Sequence, residues 1–285
     1  MFDRNAYRKL TEKFLIAIMI IMLAIVFLSA ISIFAIVTYK GFSTLNFDMI
    51  TKLPGNIYDG KPHGILNAIV GSFYLAGGSI IFAMVISVPL VFSLQKEYVS
   101  KKTKSFVILI LDLLWGIPSI VYGAIGYVIL ISLQQRASLL GGIITLGMLG
   151  IPIMSRAMLN VVDMVPKELR EASYSLGATR FETMWRVVLK QALPGMTTAV
   201  MLTFGRVIGD TASVLFTAGY SDELPRTIYD GAASLPLLIY YNLTMPGEES
   251  QKQAYAATLL LLIIVLTISV ISRILSAKFN KYTIN

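Results

Sequence analysis

Cysteine is absent from this 285-residue sequence and histidine occurs once. No disulfide, thiolate nucleophile or cysteine-ligated metal is therefore available. His63 sits in Asp59-Gly60-Lys61-Pro62-His63-Gly64, a loop composition with no second histidine at metal-site spacing, and reads as a solvated loop residue. Charge is scarce too. Only 14% of residues are charged and 56% are hydrophobic, against about 25% charged in soluble domains. The phosphate-cradling pattern G-x-x-x-x-G-K-[ST] is missing as well. No nucleotide site, and so no ATP hydrolysis, is expected of this chain alone.

What is present is a series of long apolar runs. About 20 consecutive apolar residues cross a bilayer core as one helix. Six runs qualify: 14–38, 64–95, 105–133, 138–155, 194–217 and 254–272. The first is 25 residues long, whereas a signal-peptide core has about 7–15, so it reads as a retained helix. Lys and Arg then set the topology. Alternate connecting segments hold seventeen against six, and the richer set belongs in the cytoplasm. That places both termini, the 96–104 loop and the 156–193 loop inside. The 218–253 loop, with Asp222, Glu223, Asp230, Glu248 and Glu249, is left outside.

The 156–193 connection is too long for a simple turn, and its punctuation is helical. Pro166 suits a first helical turn. Leu169, Ala172, Ser173 and Leu176 recur at i, i+3, i+4, i+7 and make a narrow, small-residue stripe. Gly177 can take the left-handed conformation that closes a helix. Thr179 and Glu182 fit a capping box that opens the next one. So narrow a face suits insertion into a groove of another protein better than rest on lipid headgroups.

The stretch EASYSLGATRFETMWRVVLKQALPG resembles the EAA signature of the permease subunits of ABC importers, with Glu171, Ala172 and Gly177 in register. Ser173 replaces the second alanine, and Lys190 stands where that signature has proline. The resemblance implies a coupling loop, 163–189, whose Arg170, Glu171, Ala172, Ser173 and Gly177 dock on a separate ATPase subunit. ATP and Mg would be bound by that partner, and this chain needs no cofactor or metal of its own.

The fifth run contains Arg206, read as the one arginine within a span, with Asp210 four residues on. A guanidinium at the bilayer centre costs about 2.5–3.5 kcal/mol, so it must face protein, water or a counter-ion. On a continuous helix Asp210 would share its face. Two readings stand: a buried ion pair locking helices, or a cationic waypoint for an anion with Asp210 holding Arg206 between transport events. GRVIGDTASVLFTAG, WGIPSIVYG and SLPLLIYYN are similar to segments of phosphate-specific importer permeases, the PstA type above all. That similarity implies inorganic phosphate as substrate and Arg206 and Asp210 on its path. Another oxyanion (sulfate, molybdate or phosphonate) and a secondary transporter using the pair for ion coupling are the alternatives.

Smaller features complete the expectation. Pro118 and Pro152 should kink their spans, and Asp112 should favour the positive end of a helix dipole. A short interfacial helix is expected over 235–243. The expected protein is an all-α, six-span permease of the type I ABC importer fold in the plasma membrane. It divides into 1–63, a 64–272 core and a 273–285 cytoplasmic tail. Its expected partners are ATPase subunits, a second homologous permease, an extracytoplasmic phosphate-binding protein and membrane lipid, with no nucleic acid.

Overall fold

The computed structural model describes residues 4–55, 64–95 and 97–280; His63 lies outside them. Helices dominate because lipid offers the backbone no hydrogen-bond partners, so each segment must satisfy its own. In chain order they are α1 (Arg4–Phe42), α2 (Phe47–Thr51), α3 (Leu66–Ser93), α4 (Lys101–Trp115), α5 (Ser119–Ser132) and α6 (Leu139–Asp163). Then come α7 (Lys167–Ser175), α8 (Arg180–Thr183), a π-helical turn over Met184–Val188, α9 (Leu189–Ile208), α10 (Leu235–Thr244) and α11 (Glu248–Asn280). Among the described residues five helices are long and apolar enough to cross a membrane, and α4 with α5 forms a sixth, bent span.

Three spans depart from the sequence reading. The third is broken, not kinked: α4 and α5 meet at 92°. Gly116 closes α4 and Pro118, with no N–H to continue the ladder, starts α5. Pro152, by contrast, lies inside the uninterrupted α6. That helix runs to Asp163, eight residues past the apolar run, so Arg156 lies within it. Arg206 is therefore not the one arginine on a spanning helix. The fifth span is helical only to Ile208, and 209–218 continue as turns. Asp210 causes the change: its Oδ1 accepts from the Ser213 N–H at 2.9 Å and from Ser213 Oγ at 2.7 Å, a local bond that competes with the helix.

Asp112 also differs from expectation. It stands in the last turn of α4, the end where a carboxylate is disfavoured by the dipole. Arg156 compensates, its Nε 2.7 Å from Asp112 Oδ1.

α3, α6 and α9 form the centre, packed through small residues as lipid-embedded helices require. Ser79 Oγ donates to Ile143 O at 3.1 Å, and Ser155 Oγ to Ser87 Oγ at 2.9 Å. A Cβ on Gly71 would stand 1.9 Å from Ala233 O. α11 covers α9 and α10. α1 is peripheral, with the apolar side chains of its long run exposed and its last turn against α11. Lys40 sits 4.7 Å over the Tyr255 ring at that contact. The helix expected over 235–243 is present as α10, capped by Ser234.

Candidate functional site

Two regions carry the chemistry. The first is the hairpin of α7 and α8. Helix α7 follows Pro166 and ends in paired bonds, Gly177 N–H to Tyr174 O at 2.9 Å and Ala178 N–H to Ser173 O at 3.2 Å. This is a Schellman motif, and Gly177 takes φ +83° in it. The capping box forms as expected: Thr179 Oγ1 accepts from Glu182 N–H at 3.3 Å, and Glu182 Oε2 accepts from Thr179 N–H at 3.0 Å. Ser173 Oγ and Thr183 Oγ1, 2.8 Å apart, tie the two helices together.

The expected docking residues divide. Glu171, Ala172 and Gly177 are exposed, and Ser173 is half-buried against Thr183. Arg170 points inward, with 11% of its side chain exposed. Its Nη1 donates to Glu97 Oε1 at 3.1 Å, and its Nη2 to Gln95 Oε1 and Val162 O, both at 3.2 Å. Arg170 is therefore a joint within the chain and not part of the outward face. Arg180 reinforces it by donating to Glu97 O at 2.7 Å. Burial first, then the Glu97 charge, pushes the Tyr174 phenol up. The outward face instead gains Leu176 and Phe181, 89% and 71% exposed. Of these Leu176 was legible in the stripe, whereas Gln95, Glu97 and Arg180 reach the joint across the fold with no local spacing to reveal them.

The second region surrounds Arg206, in the last turn of α9. A Cβ on Gly150 would lie 3.4 Å from Thr203 and 3.7 Å from Val207. Gly150 is next to the midpoint of α6, so Arg206 lies level with the middle of that helix. The side chain is exposed, and among the described residues it has no hydrogen-bond or ion-pair partner. The expected pair with Asp210 is not formed, because the helix ends before Asp210 and the carboxylate turns to Ser213. A Cβ on Gly205 would meet nothing within 4 Å, and one on Gly209 only the Gly205 O at 3.8 Å. An uncapped guanidinium beside two side-chain-free positions can receive an anion and present two N–H groups to its oxygens.

Residues 79–283 match the family described as "Binding-protein-dependent transport system inner membrane component". The Yersinia pestis "Phosphate transport system permease protein PstA" is 32% identical over 260 residues, 86% of this chain and 83% of that protein. The Bacillus subtilis (strain 168) "Probable ABC transporter permease protein YqgI" is 30% identical over 301 residues, 98% of this chain and 99% of that one. Two solved structures share the fold. One is an inward-facing MetNI methionine ABC transporter, at TM-score 0.63 and 20% identity over 75% of this chain and 95% of that one. The other is a bacterial ABC transporter for alginate, at 0.67 and 17% over 96% and 99%.

Proposed function

The chain belongs to the binding-protein-dependent transport system inner membrane component family, and we propose that it is the permease subunit for inorganic phosphate. As the non-catalytic membrane component of an ABC importer it leaves ATP hydrolysis to partner subunits. The observation that carries the cargo is Arg206, exposed and unpartnered among the described residues, level with the middle of α6 and beside Gly205 and Gly209. Relatives about a third identical over most of this chain are named for phosphate transport, which supports the reading.

In this proposal the α7–α8 hairpin faces the cytoplasm, as the surplus of Lys and Arg on that side requires, and docks on an ATPase subunit. Glu171, Ala172, Leu176, Gly177 and Phe181 form the docking face. Arg170 passes its displacement to the α3–α4 junction and to α6. An extracytoplasmic binding protein delivers phosphate to the Asp230 side, and a second permease subunit closes the open strip around Arg206. Against ion coupling through an Arg206–Asp210 pair stands the engagement of Asp210 by Ser213.

The test is radiolabelled phosphate uptake into vesicles holding this chain with its co-purified subunits. ATP-dependent uptake that excess sulfate, molybdate or phosphonate does not compete is expected. Uptake abolished by one of those anions would reassign the cargo.

A further inference from the structure

Helices α4 and α6 run antiparallel and are joined by two ion pairs of opposite polarity. Lys104 on α4 meets Asp163 on α6 at 2.7 Å; deeper in the helix pair, Asp112 on α4 meets Arg156 on α6, also at 2.7 Å. Seven residues separate the two rungs on α6, about 10 Å of helix. The Lys104 rung lies at the hairpin end of both helices, where a charged pair is easily solvated. The Arg156 rung lies two turns into the span.

That inner pair is open. Asp112 keeps 43% of its side chain exposed and Arg156 27%. The closest approach is through Nε, and among the described residues Asp112 is the charged partner of Arg156.

Arg156 also shares a side of the molecule with Arg206. The α6–α9 seam is marked by Gly150 against Thr203 and by Gly195 against Val161. α3 fills one flank of that seam, where Ser87 Oγ reaches Ile151 O and is met by Ser155 Oγ. At 100° per residue, Ile151 and Ser155 turn toward α3, while Ile153, Arg156 and Asn160 turn to the other flank. On the antiparallel α9, Leu202, Arg206 and Gly209 turn to that same flank, and all three are exposed. Gly150 lies between Thr203 and Val207 and so is level with Arg206; Arg156, six residues further along α6, lies about 9 Å from Arg206 along the axis, toward the hairpin.

We propose that Arg156 is a second anion-binding station, which takes phosphate from Arg206 and surrenders it by closing again on Asp112. The inference rests on the reading of this chain as a phosphate permease. An anion leaving Arg206 along that flank meets the part-exposed guanidinium of Arg156. Asp112 then serves release: its carboxylate competes for the same guanidinium and repels the cargo, so the anion is held but not trapped. Conduction between successive sites needs that balance.

The discriminating variant replaces both charges by apolar groups of similar size, Arg156→Met with Asp112→Leu. Such a swap spares a contact that is merely structural, because a part-exposed ion pair contributes little to stability and apolar side chains suit a spanning helix. Phosphate uptake is measured per assembled complex, beside Arg156→Lys and Asp112→Asn. The double variant is expected to assemble and to lose uptake at least tenfold, with Arg156→Lys retaining more. Asp112→Asn is expected to lower both KM and maximal rate, since the station then holds phosphate longer. Normal uptake per complex in the double variant overturns the proposal. So does failure of both the double variant and Arg156→Lys to assemble, which would make the pair a structural clamp. A wild-type complex that carries a different oxyanion and no phosphate overturns the cargo reading instead, and the same variants are then read with that anion.

Discussion

Arg170 holds Glu97 across a gap of 73 residues, its Nη1 lying 3.1 Å and 3.3 Å from the two carboxylate oxygens. This contact fastens the exposed hairpin to the junction of α3 and α4, while a third bond to Val162 O ties it to the end of α6. A push on α7 therefore reaches three elements through one side chain.

Arg170→Ala leaves Glu97, with 18% of its side chain exposed, without its partner, at a cost of about 3 kcal/mol. The outward face is untouched, so ATPase subunits should still co-purify. Phosphate carried per ATP hydrolysed should fall severalfold. Arg170→Lys should recover little, because one ammonium cannot span Glu97, Gln95 and Val162. An unchanged ratio in Arg170→Ala would remove the joint from the mechanism.

Gly177 has φ +83° and open space around its Cβ position. Gly177→Ala should therefore cost only the backbone term, about 1–2 kcal/mol, and keep most transport. Gly177→Pro cannot adopt that φ and loses the 2.9 Å bond to Tyr174 O. It should abolish coupling, as should the charge reversal Glu171→Lys on the exposed face. Co-purification of the ATPase with each variant, beside uptake, is the measurement.

Arg206→Ala should abolish uptake while the complex still assembles. Asp210→Asn should be milder, because its remaining carbonyl oxygen can still accept from the Ser213 N–H and Oγ. Were Asp210→Asn as damaging as Arg206→Ala in an uptake assay, the carboxylate charge itself would be required.

Gly71→Ala places a Cβ 1.9 Å from Ala233 O, a backbone clash that no rotamer relieves. Its thermal midpoint in detergent should fall by several degrees, which a melting curve would register. Gly205→Ala meets nothing within 4 Å and should melt like the unaltered protein.

Asp230 Oδ2 accepts from the backbone N–H groups of Thr227 and Arg226, both at 2.8 Å, and these bonds hold its carboxyl below the usual range. A depressed folded pKa means the tether is fully present above the ordinary aspartate value of 3.8. It is lost as pH falls through the lower folded value. Amide exchange at residues 226 and 227 should stay protected through mild acid and rise only below that range. Protection lost near pH 5 would contradict the assignment.

Much of this could be read from residue order alone, because the physics is local or compositional. Apolar runs of bilayer length give the number of spans, and the surplus of Lys and Arg predicts their direction. The Gly177 closure and the Thr179–Glu182 box are bonds between near neighbours, so their spacing announces them. The third and fifth spans were partly misjudged for one reason: hydropathy measures whether a segment prefers lipid, not whether it stays helical there. Pro118 breaks one span, and Asp210 with Ser213 unwinds the other, inside runs that are long and apolar enough on the whole to read as spans. The tertiary structure alone decided the partners of the charges. Arg170 turns inward to Glu97, Arg156 finds Asp112, and Arg206 is left unpaired among the described residues. Each of those outcomes depends on which helices lie side by side, and a guanidinium's reach across a seam leaves no period in the sequence.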